Sequence, residues 1–70
     1  LLFRYSGEAI RKLRLLKGLS QKGVAVELGI TQQAYSKLEK KEKIPERKFL
    51  LVSKTLGYSI EELYTLSLIC

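Results

Sequence analysis

The sequence contains no histidine, no methionine, no tryptophan and only one cysteine, Cys70. A single cysteine cannot form an intramolecular disulfide, and without histidine there is no Cys/His cluster to bind zinc. No nucleophile–base pair and no glycine-rich phosphate loop can be recognised, so we predict neither an enzyme nor a bound cofactor. No apolar run approaches the roughly 20 residues that a membrane-spanning helix needs. These absences leave a small domain that works by binding.

The chain is short, basic and of ordinary globular composition. Its 70 residues, 46% apolar and 29% charged, suffice for one domain with a small core. Thirteen Lys and Arg against seven Asp and Glu give a formal net charge of +6. Such a domain suits a polyanion, with nucleic acid ahead of an acidic membrane or an acidic protein. The first residue is Leu1 rather than methionine, so a fragment of a longer or processed chain is an open alternative.

Apolar periodicity and turn residues predict an all-α fold, a compact five-helix bundle without strands. Ser20 and Thr31 are predicted N-caps, and Ser59 with Glu62 matches a capping box. The predicted helices lie near residues 8–17, 21–28, 31–40, 46–56 and 60–67. The residues predicted to face the core are Ile10, Leu13, Leu16, Val24, Ala25, Leu28, Ile30, Tyr35, Leu38, Phe49, Val52, Ser53, Leu56, Leu63 and Leu66.

Residues 19–40 contain two short helical patterns separated by Gly29, which is typical of a helix-turn-helix. The outward residues of the second helix include two glutamines and, one turn on from Gln33, a lysine. A glutamine amide carries one acceptor and two donors, so it can pair with adenine N6 and N7 in the major groove. We therefore predict base contacts by Gln32, Gln33 and Lys37. The alternative is that these side chains are simply solvated.

Basic and polar residues around this helix are predicted to hold the DNA backbone. Gln21 begins the preceding helix, where the helix dipole favours an anion. The lysines that follow the predicted reading helix lie where phosphates would pass, although a solvated basic face is the alternative. The predicted phosphate contacts are Gln21, Lys22, Thr31, Tyr35, Ser36, Lys40, Lys41 and Lys43.

The ordered motifs resemble the phage repressor and Cro-type (XRE-type) DNA-binding domains. The resemblance implies a lambda-repressor-like fold that binds palindromic operator DNA as a two-fold dimer. It also implies a partly buried pair between Arg14 and Glu39. The matching motifs are Ile-Arg-Lys-Leu-Arg at 10–14, Leu-Ser-Gln at 19–21, Val-Ala at 24–25, Leu-Gly-Ile at 28–30, Gln-Gln at 32–33, Ser-Lys-Leu-Glu at 36–39, Ile-Pro-Glu at 44–46, Leu-Gly at 56–57 and Ser-Ile-Glu-Glu-Leu at 59–63.

Three positions depart from the family pattern. Gly23 replaces a helix-forming residue, and Tyr35 replaces a branched aliphatic one, so its hydroxyl is expected at a phosphate or the solvent edge. Lys41 stands where many relatives have a glycine that closes helix three. Either the turn differs there, or Lys41 adopts a positive φ at a cost of about 1 kcal/mol.

Apolar residues near the carboxyl end support a second surface. A homodimer is expected there, with Leu51, Leu66, Leu68 and Ile69 as its candidates. The competing hypothesis is a protein-interaction module such as an antitoxin that binds a toxin protein. It draws on Leu50 and on the amino-terminal Leu1, Leu2 and Phe3 as further apolar surface. Under the leading hypothesis the protein is a transcriptional regulator of a bacterium or a phage, most simply a repressor, which acts in the cytoplasm in association with the nucleoid.

Overall fold

The computed structural model describes residues 5–69, except for the side chains of residues 67 and 69. This part of the chain forms five α-helices and no strand, which confirms the predicted all-α fold. The predicted helix ends lie within two residues of the observed ones. The helices are α1 (Gly7–Leu16), α2 (Gln21–Leu28), α3 (Gln32–Glu39), α4 (Glu46–Thr55) and α5 (Ile60–Ile69).

Side-chain caps start four of the helices, as the sequence indicates. The hydroxyls of Ser6, Ser20 and Thr31 each accept a hydrogen bond from the backbone N–H three residues on, at 3.2, 3.0 and 3.1 Å. Ser59 and Glu62 exchange two bonds of 3.1 Å, which is the predicted capping box. Each bond satisfies a donor that the first helical turn leaves unpaired.

Gly29 turns the chain from α2 into α3. Its φ is 72°, a left-handed conformation that costs a side-chain-bearing residue more than glycine. The next N–H, that of Ile30, then reaches back to the carbonyl of Ala25 at 3.0 Å. This compact ending brings α3 across α2, and these two helices share the most extensive contact in the described chain.

The core lies where the first four helices meet, and Leu63 of α5 closes it. Tyr35 and Phe49 are its largest fully buried side chains. Most of the predicted inward stripe is confirmed. The buried apolar residues are Ala9, Ile10, Leu13, Val24, Ala25, Tyr35, Leu38, Ile44, Phe49, Val52, Leu56, Tyr58 and Leu63.

Two predicted core residues prove to be exposed. Leu16 lies at the end of α1, and 66% of its surface is accessible. Ile30 was expected to fill the corner between α2 and α3, yet it is 41% exposed. Arg14, for which the family resemblance implies a partly buried pair, is buried. The buried stripe of α1 therefore runs through Ile10 and Arg14, four residues apart, and leaves Leu16 beyond it.

Gly7 allows α1 to approach the end of α3 closely. A Cβ atom at this position would lie 2.3 Å from the carbonyl oxygen of Leu38 and 2.5 Å from that of Glu39. The Gly7 N–H also donates to the carbonyl of Lys41 at 2.8 Å. No residue with a side chain fits this contact without a shift of the backbone.

The connection between α3 and α4 takes a path without positive φ. Within the described chain no residue other than glycine has a positive φ, so Lys41 carries no left-handed strain. The turn differs instead: Lys40 ends α3 with φ −94°, and the Lys41 N–H donates to the carbonyl of Leu38 at 3.2 Å. The Ile44 N–H then bonds to the carbonyl of Tyr5 at 2.6 Å, which ties the connection to the chain before α1.

Candidate nucleic-acid interface

The α3 helix presents one side to solvent and the other to the core. Gln32, Gln33 and Lys37, the predicted base contacts, are all exposed. Gln33 and Lys37 are four residues apart and therefore neighbours on the helix surface. The Thr31 cap fixes the first turn, so the two glutamines start from a defined backbone. Side chains of this type on an exposed helix can contact base edges.

The inner side of α3 is held by a buried ion pair. The Arg14 Nε lies 2.7 Å from Glu39 Oε2, and its Nη2 lies 3.3 Å from Oε1. The third donor, Nη1, bonds to the carbonyl of Leu19 at 2.8 Å. The pair expected from the family resemblance is thus present in bidentate form. It joins α1, α3 and the turn before α2 in one place.

The charges of this pair stabilise each other. The hydrogen bond to Glu39 raises the pKa of Arg14 above its usual value. Burial alone would raise the pKa of Glu39, but the hydrogen bond from Arg14, with further hydrogen bonds and the Arg14 charge, lowers it below its usual value. Both groups therefore stay ionised in the folded state at neutral pH.

Gln21 has an internal partner that the sequence analysis missed. Its Nε2 donates to Glu39 Oε1 at 2.9 Å, and its side chain is half-buried. The side chain predicted to hold a phosphate therefore also connects the start of α2 to the end of α3. No local pattern around Gln21 indicates this contact, because its partner lies eighteen residues away.

The phosphate contact predicted for Tyr35 is wrong. The whole side chain is buried, and its hydroxyl oxygen has no access to solvent. Burial first, and then the neighbouring carboxylate of Glu39, raise the pKa of this hydroxyl well above its usual range. No hydrogen bond of regular geometry reaches the oxygen. Tyr35 therefore acts as a core residue beneath the ion pair.

The other predicted phosphate contacts lie around the ends of α2 and α3. Ser36 is half-buried, and Thr31 is exposed although its hydroxyl is engaged in the cap. The exposed lysines among them are Lys22, Lys40, Lys41 and Lys43. The structure thus leaves four cations accessible, one in the first turn of α2 and three at the end of α3 and in the α3–α4 connection.

Two of the three leucine candidates for the dimer line different grooves. Leu51 of α4 lies in a groove with Ile60 and Leu63 of α5. Leu66 is half-buried in a second groove, between α5 and the end of α1. Leu68 is exposed, and the side chain of Ile69 lies outside the described residues, as do Leu1, Leu2 and Phe3.

Comparison with protein families gives an independent result. A family model described as helix-turn-helix matches residues 10–63, well over half of the chain. The chain belongs to the Cro/C1-type helix-turn-helix family. This family consists of DNA-binding regulators and is not catalytic, so the helix-turn-helix domain is a DNA-binding regulator in general terms. Searches of curated proteins and of solved structures each found no significant match.

The described residues contain neither a membrane-spanning helix nor a cluster of metal-binding side chains. No helix in this part of the chain is long and apolar enough to cross a membrane. No group of three or more His, Cys, Asp or Glu side chains within residues 5–69 is placed to bind a metal ion.

Proposed function

We propose that the domain is a sequence-specific transcriptional regulator that reads the major groove with α3. The observation that carries the proposal is the division of α3 into two sides. Tyr35, Leu38 and Glu39 are buried, while the base-pairing side chains Gln32 and Gln33 are exposed at its start. A rigid helix with free amides on one side meets the geometric needs of base recognition.

The basic residues supply affinity in this proposal. Lys22 at the start of α2 and the lysines of the α3–α4 connection contact phosphates on either side of the groove. The Gln21 amide has a second N–H donor besides the one that Glu39 accepts, and this donor is directed to a phosphate. Because each phosphate contact releases counterions, binding should weaken steeply as salt rises.

Repression follows if the domain occupies a palindromic operator as a homodimer. We place the dimer contact at the groove between α1 and α5, beside Leu66 and the exposed Leu16 and Leu68. This groove also contains Lys17 and the acids Glu61 and Glu62. Its mixed charge permits two copies to meet, which is what a two-fold contact requires. A protein that binds operator DNA would be associated with the nucleoid, which agrees with the expected location.

The test is selection from a randomised duplex library, followed by measurement of binding to the selected and to unrelated DNA. An enriched palindrome would support both the base contacts and the dimer, and an enriched single half-site would support only the base contacts. Reporter transcription from a promoter that carries the selected site then separates a repressor from an activator. A library that yields no enriched sequence contradicts sequence-specific reading.

The variants Gln32→Ala and Gln33→Ala test the two glutamines directly. Each should weaken binding to the selected site by about 1–3 kcal/mol while binding to unrelated DNA changes little. Thr55→Ala at the end of α4 is the control, because its hydroxyl donates within its own helix to the carbonyl of Leu51 at 3.1 Å. Equal losses on selected and unrelated DNA would assign the glutamines to the backbone rather than to bases.

A further inference from the structure

An exposed apolar strip runs over the outside of α4. Its three members are Ile30, Leu51 and Ile60, which are 41%, 58% and 59% exposed. Leu51 lies between two grooves and lines both of them. The α3–α4 groove has a volume of about 380 Å³ and contains Ile30, and the α4–α5 groove has about 450 Å³ and contains Ile60.

The strip is continuous rather than a set of scattered apolar residues. Leu28, Leu38 and Val52 form the floor of the α3–α4 groove, while Leu50 and Leu63 form that of the α4–α5 groove. A ridge with an apolar groove on each side is the form into which the apolar stripe of a helix can dock. Contiguous exposed apolar surface of this kind marks an interaction site.

Within the described part of the chain, every charged side chain that lines the two grooves of the strip is a cation. The α3–α4 groove is lined by Lys37, Lys41 and Lys48, and the α4–α5 groove by Arg47 and Lys54. Among the described residues no acid lines either groove. The α1–α5 groove differs, because it contains both signs of charge. The occupant of the α4 strip must therefore combine apolar side chains with negative charge.

We propose that the α4 strip binds an acidic amphipathic helix of a partner protein. A second copy of the domain fits poorly, because two identical strips would bring five cations against five. DNA fits poorly as well, because phosphates would neutralise the cations but leave Leu51 and Ile60 exposed. An acidic helix satisfies both features, since its leucines enter the grooves and its carboxylates face the surrounding lysines and Arg47.

The position of Lys37 gives this binding a consequence for regulation. Lys37 lines the α3–α4 groove and is also a proposed base contact. A helix that engages this lysine competes with DNA for it, so the partner would release the domain from its operator. This consequence, unlike the binding itself, rests on the proposed function.

A synthetic peptide of about 18 residues serves as the probe, with leucines at i, i+3, i+4 and i+7 spacing and glutamates elsewhere. Fluorescence anisotropy with the full chain measures its binding. Two control peptides carry the same composition in scrambled order, or lysine in place of glutamate. We expect the amphipathic acidic peptide to bind at least about tenfold more tightly than either control. Absent binding, or equal binding of the scrambled peptide, overturns the proposal.

Substitutions then locate the site. Leu51→Asn should weaken peptide binding at least about tenfold, and so should Lys48→Glu, while both variants stay folded because these side chains are exposed. Leu15→Asn on α1 is the matched control, because Leu15 is an exposed leucine that lines neither groove, and it should change peptide binding less than about twofold. Sedimentation equilibrium of the Leu51→Asn variant tests whether a second copy of the domain occupies the strip instead. If Leu51→Asn dissociates a homodimer, or if Leu15→Asn weakens peptide binding as much, the proposal is wrong.

Competition on DNA tests the regulatory consequence separately. With the selected duplex, peptide at ten times its dissociation constant should raise the apparent dissociation constant for DNA about elevenfold. If the DNA affinity is unchanged when the peptide is bound, the proposed competition is wrong, but the proposed docking site is unaffected. A library without an enriched site contradicts the proposed function. Peptide binding and its loss in Leu51→Asn are independent of that outcome.

Discussion

The two sides of α3 differ in what their side chains contact. On the inner side, Glu39 accepts hydrogen bonds from Arg14 and Gln21, and Tyr35 is buried beneath them. On the outer side, the side chains of Gln32 and Gln33 are exposed and face solvent. An inner substitution therefore removes contacts on which folding depends, whereas an outer one removes contacts that form only with DNA. Stability and sequence preference should separate along this line.

The largest expected effect is that of Glu39→Ala on the inner side. It leaves the buried guanidinium of Arg14 without its carboxylate and Gln21 without its acceptor. Loss of one member of a buried pair costs about 3–5 kcal/mol, which is a large share of the stability of so small a domain. Chemical denaturation at pH 7 measures the loss, and DNA selection with stabilised samples at low temperature should return the same preferred sequence.

Glu8→Ala is the control for Glu39→Ala, because Glu8 forms an exposed pair with Lys12 at 3.8 Å within α1. Its effect should stay below about 1 kcal/mol. An unchanged melting temperature in Glu39→Ala would contradict the structural importance of the buried pair. A changed base preference at retained stability would contradict the separation of the two sides.

Gly7→Ala should give the next largest loss of stability, about 3 kcal/mol. The new methyl group would overlap the backbone of Leu38 and Glu39. These two residues form the last turn of α3, so their backbone has little freedom to move. Gly23→Ala is the matched control. There the added Cβ meets only the Ser20 hydroxyl at 3.1 Å, and the gain in helix propensity offsets the disturbed cap.

Thermal unfolding of both glycine variants measures this difference. Equal melting temperatures would show that α1 and α3 can separate slightly at no cost, which would contradict the close approach. The comparison also tests whether the backbone contact at Gly7 stabilises the inner side of α3 in addition to the side-chain hydrogen bonds of Glu39.

Local signals explain why the helices could be predicted and part of the site could not. Caps such as Ser20 and Thr31 act within one turn, so the sequence indicates the helix starts directly. Burial depends on what lies opposite. The apolar periodicity of α1 selected Leu16 for the core, although the structure leaves it 66% exposed and buries Arg14 instead. Only the family resemblance pointed to the partner of Arg14.

Long-range contacts were the remaining source of error. The Tyr35 hydroxyl was expected near solvent because the residue type suggests it, but this side chain is fully buried in a core to which all five helices contribute. The need for glycine at position 7 was missed for a similar reason, since the obstructing carbonyls come from the end of α3. Neither contact leaves a pattern in the neighbouring sequence. Periodicity identifies the stripe of a helix but not the shape of its surroundings.

On the outer side, Lys37→Ala should weaken DNA binding by about 1–3 kcal/mol without a loss of stability. Binding to a panel of single-base variants of the selected site, at several salt concentrations, distinguishes the role of the lysine. A base contact appears as relaxed preference at one position. A phosphate contact appears as uniform weakening with the slope of affinity against salt reduced by about one.

Lys54→Ala makes the same change in charge at an exposed position of α4, in a groove that contains no α3 residue. It should affect the selected and unrelated duplexes equally and only slightly. If Lys37→Ala lowers the melting temperature more than Lys54→Ala does, the outer side of α3 contributes to folding, and the contrast between the two sides is weaker than we propose.

The smallest expected effect is the acid dependence that Glu39 adds to stability. Its folded-state pKa lies below the usual value of 4.5, because the hydrogen bonds and charge of Arg14 outweigh the effect of burial. The unfolded chain therefore takes up this proton at higher pH than the folded chain does. The contribution is fully present above the unfolded pKa and is lost as pH falls through the folded one. NMR titration of the Glu39 carboxyl measures its pKa, and denaturation between pH 7 and about pH 3 measures the loss of stability.

Glu62 also has a lowered pKa, mainly through its backbone hydrogen bond at Ser59, so the variant Glu62→Gln is needed to subtract the contribution of Glu62 to the acid dependence. A Glu39 carboxyl that titrates at or above its usual pKa would mean that burial prevails, and that the inner side of α3 is held by packing rather than by charge.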